Sequence, residues 1–423
     1  MRISETCHGF EYIKGMEIKE IQSYAKLFYH NKSGARLLKL ETSDDNKLFS
    51  VTFKTLPSSD DGAAHILEHS VLNGSKNFPV KSPFKILAKG SMHTFLNAMT
   101  FPDRTMYPIA SRNDKDFRNL MHVYMDAVFF PKIYSEPRIF KQEGWHLLLD
   151  AQQGELKYSG VVYNEMKGAY SMPERLLLRA IRRNLLPDTQ YAFESGGYPD
   201  AIPSLSHEAL ISFHRRYYHP SNCYIFIYGN SSLEEDLEFI NTKYLDAFQK
   251  TEVDSEIRVQ APFGKICEIS ESYPVLNNES DENKTFLSLS FVVNAEKRNE
   301  LYYSFDIVSD ALVNLSSGTI RKEILDRSVG RDIFSSYINI NQPIFIFTVK
   351  NSTAQKKDIF REIIIDKLGE TVKKGFDRSV LEGLVNRLEF SLREANYSPR
   401  GLIYNYRALE GWIYDNDPFA SLG

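Results

Sequence analysis

The sequence predicts an α+β protein of two domains, and three observations lead there. At 423 residues the chain exceeds what one hydrophobic core ordinarily serves. Strand-like and helix-like segments mix along it without the regular alternation of a βαβ protein. The second half then restarts with strands and helices in an order that resembles the first.

Apolar stretches at 36–42 and 48–54 flank a polar turn at 43–46 and read as a hairpin. Asp60-Asp61-Gly62 precedes a helical pattern through Asn73, which Gly74 ends. Segments 93–100 and 105–110 read as strands around the turn 101–104, and 114–129 reads as a helix. A second hairpin covers 145–150 and 155–159, turning at 152–154. Helices over 162–186 and 206–217, an apolar strand at 223–228 and a helix over 232–248 complete the first half.

The polar, charged stretch 250–260 marks the boundary, giving domains of 1–250 and 261–423. Strands are expected near 264–271 and 285–293, helices near 298–315 and 319–327, and strands near 332–340 and 343–350. Three helices run to the end. One local alignment suggests duplication. Asp306-Ile-Val-Ser-Asp-Ala-Leu-Val-Asn314 lies over His65-Ile-Leu-Glu-His-Ser-Val-Leu-Asn73, with the helical pattern kept and both His and the Glu replaced.

Composition excludes several function classes. Net charge is −4 with no long basic run, which argues against nucleic acid as the main partner, because phosphate binding needs clustered Lys and Arg. The densest basic stretch, His214-Arg-Arg-Tyr-Tyr-His219, reads as a solvated helix end entering a strand. Cys7, Cys223 and Cys267 form neither a disulfide framework nor a CxxC metal pattern and suit a reducing compartment. The first residues lack signal-peptide or transit-peptide character, and no run nears the ~18 apolar residues of a membrane span. The expected location is the cytoplasm, or an organelle matrix after removal of a targeting segment. No GxSxG, P-loop or GxGxxG pattern anchors a serine hydrolase or a nucleotide-binding protein.

The chemistry concentrates in His65-Ile-Leu-Glu68-His69. Helical positions i and i+4 share a face, so both imidazoles can meet one ion, and HxxEH is the inverted zinc-peptidase pattern. Glu68 shares that face but is displaced around the helix, where it can accept the proton of a metal-bound water. Catalytic zinc ordinarily takes three protein ligands. Glu165, in Gly160-Val-Val-Tyr-Asn-Glu-Met-Lys-Gly168, is one candidate, and Glu143, Glu155 and Glu174 compete with it.

These residues and three further segments resemble the pitrilysin-type (M16) metallopeptidases, in the branch of the presequence proteases and falcilysin. The segments are Phe95-Leu-Asn-Ala-Met-Thr-Phe-Pro-Asp-Arg-Thr-Met-Tyr-Pro108, Gly160–Gly168, and Tyr218-His-Pro-Ser-Asn222 with the apolar strand after it. The similarity runs in order through most of the chain. It implies two homologous domains, each a mostly antiparallel sheet with helices on one face, of which only the first keeps the metal ligands. It implies one zinc ion held by His65, His69 and Glu165, with Glu68 as general base. Glu165 lies 96 positions after His69, a spacing that suits this branch.

The resemblance further implies that the strand around Asn97 and Ala98 receives extended peptide by strand addition. A turn or hydrogen-bonding role for Asn97 is the competing reading. The implied function is endopeptidase cleavage of unstructured oligopeptides. Members of the branch are about twice as long, with two halves enclosing a chamber and the second supplying a substrate-holding Arg and Tyr. This chain is therefore expected to be an N-terminal half, partnered by the remainder of its polypeptide or by a separate chain. The alternative is a non-catalytic zinc- and peptide-binding half or scaffold subunit.

Overall fold

The computed structural model describes residues 6–150, 154–275, 280–293, 298–394 and 399–422. They divide into two compact units. The first holds the described residues through Arg258 together with 399–422, and the second those from Val259 onward to 394.

In the first unit the strands are β1 (Thr6–Cys7), β2 (Phe10–Ile18), β3 (Ser23–His30), β4 (Arg36–Glu41), β5 (Lys47–Lys54), β6 (His93–Leu96), β7 (Met99–Thr100), β8 (Arg104–Ser111), β9 (His146–Leu149), β10 (Leu156–Ser159) and β11 (Cys223–Gly229). Its first eight helices are α1 (Ala63–Val71), α2 (Pro83–Gly90), α3 (Asp114–Phe129), α4 (Arg138–Glu143), α5 (Val161–Ala169), α6 (Pro173–Leu185), α7 (His207–Tyr217) and α8 (Leu233–Lys243). The main sheet runs β1-β2-β3-β4-β11-β5-β8-β6, with β7 also on β8. Its neighbours are antiparallel except β4 and β11, which run parallel with Phe226 opposite Leu38. Strands β6 and β7 form one edge. The hairpin β9–β10 stands apart as its own two-stranded sheet.

Strict alternation sorts the side chains of the central strands onto two faces. Leu37, Phe49, Val51, Phe53, Tyr107, Ile109, Ile225 and Ile227 share one buried core with Ile66, Leu67 and Val71 of α1 and with α3, α7 and α8. On the opposite face Leu38, Leu48, Met106, Tyr224, Phe226 and Tyr228 pack against α13 (Arg400–Trp412) through Tyr404, Ala408, Leu409 and Trp412. The expected second domain ran to residue 423, but this last helix joins the first unit. Its apolar stripe covers a sheet face that would otherwise meet water.

The second unit carries the antiparallel sheet β12-β14-β13, built from β12 (Thr285–Val292), β13 (Asp332–Ile338) and β14 (Ile344–Ser352). Around it lie α9 (Arg298–Ser309), α10 (Thr319–Asp326), α11 (Lys357–Lys374) and α12 (Arg378–Glu394), with Leu312, Ile320, Phe347, Phe360 and Ile364 in its core.

Five expectations are revised. The segments 36–42 and 48–54 form strands but no hairpin, because β11 lies between β4 and β5 and pairs with both. Residues 264–271 form no strand; Ile266 and Ile269 are exposed, so the alternating pattern there has no partner. The helix expected over 298–315 ends as a π-helical turn at Asp310–Asn314. The single helix expected over 162–186 is broken between α5 and α6, where Pro173 starts the second helix. In the basic stretch only Arg215 and Arg216 are solvated, whereas His214, Tyr217 and Tyr218 are buried. No helix among the described residues is long and apolar enough to cross a membrane.

Candidate metal centre

Helix α1 buries Ala63, Ile66, Leu67, Ser70 and Val71, and that choice of face turns His65, Glu68 and His69 the other way. The helix starts at Gly62, in the left-handed region at φ 74°. A Cβ there would lie 2.9 Å from the Cα of Gly197, so glycine is required for the chain to pass this close. Asp61 completes the start by accepting the Ala63 N–H at 3.0 Å.

The third candidate ligand arrives on α5. A Cβ at Gly160 would sit 2.1 Å from the Gly144 carbonyl oxygen, so a bare backbone lets the start of α5 lie against the end of α4. This places Glu165 beside both imidazoles. His65 Nε2 is 3.7 Å from Glu165 Oε1, and His69 Nε2 is 3.7 Å from Glu165 Oε2. One ligand atom from each of the three residues falls within 4.8 Å of the others. The two imidazole rings meet edge to face, with centroids 4.9 Å apart.

The donor set fits a zinc ion. Ligands about 2.0–2.2 Å from a tetrahedral zinc lie roughly 3.3–3.6 Å from one another, close to the separations seen. Each imidazole also presents the correct nitrogen. His65 Nδ1 lies 3.1 Å from the Gly196 carbonyl oxygen, which only accepts, so this nitrogen carries the proton and leaves Nε2 as a free donor atom. His69 Nδ1 lies 3.5 Å from Glu143 Oε2, the same arrangement with a carboxylate. Glu143 was a rival for the third ligand position. The structure puts it behind His69, buried, with Oε1 accepting from Gln142 Nε2 at 2.7 Å. Glu155 is exposed, Glu174 lies in the first turn of α6, and neither joins the cluster.

Glu68 is buried beside the cluster, and its Oε2 accepts the Thr100 hydroxyl at 2.6 Å. Among the described residues no hydrogen bond reaches its Oε1, leaving that oxygen available to a water. Burial raises the Glu68 pKa, only partly offset by His65, the Thr100 hydroxyl and His69. Burial would lower His69, but the carboxylates of Glu143, Glu68 and Glu165 outweigh it and raise its pKa. Three carboxylates, those of Glu68, Glu143 and Glu165, around two imidazoles make a place where a divalent cation relieves repulsion.

Asn97 and Ala98 fall in the break between β6 and β7, on the sheet edge. Asn97 is exposed, yet its backbone is used inward: its N–H donates to Pro108 at 3.2 Å and its carbonyl accepts from Tyr124 Oη at 3.2 Å. Its side-chain oxygen accepts the Ala98 N–H at 3.0 Å. Those bonds are the local role that competed with substrate binding. Sequence reading missed Thr100, the Gly196 carbonyl and the position of Glu143. Thr100 had a usable signal, since it is the last residue of the expected strand 93–100. The carbonyl had none.

Residues 57–165 match the family model described as "Insulinase (Peptidase family M16)", and residues 204–388 match "Peptidase M16 inactive domain". The chain belongs to peptidase family M16. It is 45% identical over 417 residues to "Protein HypA" of Clostridium perfringens, covering 98% of this chain and 43% of that protein. It is 40% identical over 422 residues to "Presequence protease 1, chloroplastic/mitochondrial" of Arabidopsis thaliana, covering 98% of this chain and 39% of that one. The chain thus spans about two fifths of the length of these curated M16 relatives. In fold it resembles the crystal structure of pitrilysin, with a TM-score of 0.66 at 17% identity, covering 96% of this chain and 42% of that one. A protease from Helicobacter pylori also scores 0.66 at 16% identity, covering 93% and 90%. The M16 model with "Insulinase" in its description ends at Glu165, the last residue of the cluster.

Proposed function

We propose that this chain is the zinc-bearing part of a metalloendopeptidase that cleaves unstructured oligopeptides, and that it corresponds to the N-terminal half of the longer relatives. The observation that carries this reading is the meeting of His65 Nε2, His69 Nε2 and Glu165 beside the buried carboxylate of Glu68. One zinc ion bound there would supply Lewis acidity and a water of lowered pKa.

The chain's own residues would do the rest. Glu68, held through Oε2 by Thr100, takes the proton of the attacking water as its oxygen bonds to the peptide carbonyl carbon. It returns that proton to the amine nitrogen as the C–N bond breaks. Strands β6 and β7, with Asn97 and Ala98 between them, offer a sheet edge on which an extended peptide could lie. A folded protein presents no such strand, which restricts substrates to flexible chains. The second unit is proposed to be a homologous domain without ligands. Consistent with a reducing setting such as the cytoplasm or an organelle matrix, all three cysteines are free.

The test is Glu68→Gln, with zinc content and peptide cleavage measured together. Retained zinc with turnover abolished supports the reading; substantial residual cleavage removes Glu68 from its role. Because the chain covers two fifths of its relatives, the alternative is a half that binds zinc and peptide but needs a partner. Adding the remaining half of a relative separates the two, since this alternative requires activity only in the combined sample.

A further inference from the structure

The acceptor that holds His65 in its metal-binding tautomer is a main-chain carbonyl, so only the shape of its loop can supply it. That loop, residues 193–198, is held by the buried side chain of Glu194 together with Asp60. Glu194 Oε2 accepts the Tyr170 hydroxyl at 2.6 Å and an Arg182 N–H at 2.5 Å, while Oε1 accepts the Gly196 N–H at 3.3 Å. Its own N–H donates to Asp60 Oδ1 at 2.7 Å. Asp60 is held in turn by Arg179 at 2.6 Å, and that guanidinium lies 4.1 Å over the ring of Tyr198. Asp60 O accepts the Tyr198 N–H at 2.8 Å, closing the loop from its far end.

Glu194 touches a residue flanking each ligand-bearing helix, Asp60 through its main-chain N–H and Tyr170 through its carboxylate. Asp60 lies just before α1, and Tyr170 directly follows α5, which carries Glu165. Neither the hydrolytic step nor the metal contacts use any of these groups.

We infer that Glu194 is a positioning residue for the metal centre, setting the ring orientation and tautomer of His65 through the Gly196 carbonyl. This rests on the reading of His65 as a metal ligand. A group that only stabilised the fold would change melting and leave the ion's affinity alone. A group that aims a ligand changes affinity in protein that is still folded.

The experiment measures Zn2+ affinity by competition with a chromophoric chelator, and the visible spectrum with Co2+, for the wild type and for Glu194→Gln, Tyr170→Phe and His65→Ala. Circular dichroism of the metal-free proteins confirms folding. Glu194→Gln keeps the shape but lacks the full charge facing Arg182, and it should bind Zn2+ about tenfold or more weakly with altered Co2+ bands. Tyr170→Phe should fall between it and wild type. Folded Glu194→Gln binding Zn2+ within about twofold of wild type, with an unchanged Co2+ spectrum, overturns the inference. Should that variant fail to fold, Tyr170→Phe decides by the same criterion. His65→Ala separates the two levels. If it binds as tightly as wild type, the metal-site reading fails and this inference with it. If it loses the ion while Glu194→Gln keeps it, only the role of Glu194 falls.

Discussion

Acidification from pH 7 to 4 singles out His214, an imidazole buried on α7 with Nε2 2.8 Å from the Val128 carbonyl and Nδ1 2.8 Å from Tyr134 Oη. The carbonyl can only accept, so Nε2 carries the proton and Nδ1 accepts from the tyrosine. Its ring also stacks on Tyr218, with centroids 4.9 Å apart. Burial pushes its pKa from 6.5 down to about 4, more than the Val128 carbonyl can restore, and neighbouring Arg215 adds to the depression. The unfolded chain therefore binds this proton more tightly than the folded one. The associated stability is fully present above 6.5 and is lost as pH falls toward 4. Proton linkage makes the loss about 1.4 kcal/mol at pH 5.5 and about 3 kcal/mol at pH 4. With His214→Gln, which can still donate to Val128, that contribution should vanish from the acid limb. Urea unfolding followed by tryptophan emission reads the correct unit, because Trp145 and Trp412 both belong to it. Carboxylates common to both proteins cancel in the difference. The stability gap between wild type and variant should shrink or reverse by about 3 kcal/mol from pH 7 to 4. A gap that stays constant across that range refutes the account of His214.

Glu143→Ala removes the acceptor behind His69 and should weaken Zn2+ binding about 10–100-fold without changing the one-to-one stoichiometry, checked by chelator competition. Complete loss of the ion would instead make Glu143 a ligand. Gly160→Ala forces a methyl group into the Gly144 carbonyl, so α4 and α5 must separate. It should lower the thermal midpoint through about 2–3 kcal/mol of lost stability and reduce bound zinc together with it; an unchanged midpoint would dismiss the close approach as the device that delivers Glu165.

The metal helix could be read from sequence because its chemistry is local: the spacing of His65 and His69 alone puts two imidazoles on one face. Glu165 could not be chosen from composition. Its arrival depends on the contact between Gly144 and Gly160, which is a property of two backbones rather than of any carboxylate. Glu143 has the same residue type and is buried, whereas Glu165 is exposed, and only its position behind the ring marks it as a supporting group rather than a candidate ligand. The strands of the hairpin β9–β10 and those around Asn97 were legible from apolar stretches and the turn residues between them, with residues 152 and 153 of the expected hairpin turn outside the described residues. The edge position of Asn97 was implied only by the family resemblance. The sheet order was not, because β11 enters between β4 and β5 from far along the chain. At 264–271 alternation misled, since a strand needs a neighbour as well as a pattern.

Helix α13 has a consequence for how this chain is made. The sheet of the first unit is complete once β11 has formed, yet one of its faces waits for residues beyond 399. At ribosomal rates of about 5–20 residues per second, the roughly 140 residues between Arg258 and α13 take about 7–28 s to arrive. Through that interval Leu38, Leu48, Tyr224 and Tyr228 face water, and the second unit can fold as an insertion within an unfinished neighbour. Cutting the gene at the apparent boundary near 258 would make the interval permanent. A soluble version of the first unit should therefore be built with 399–422 joined back by a linker.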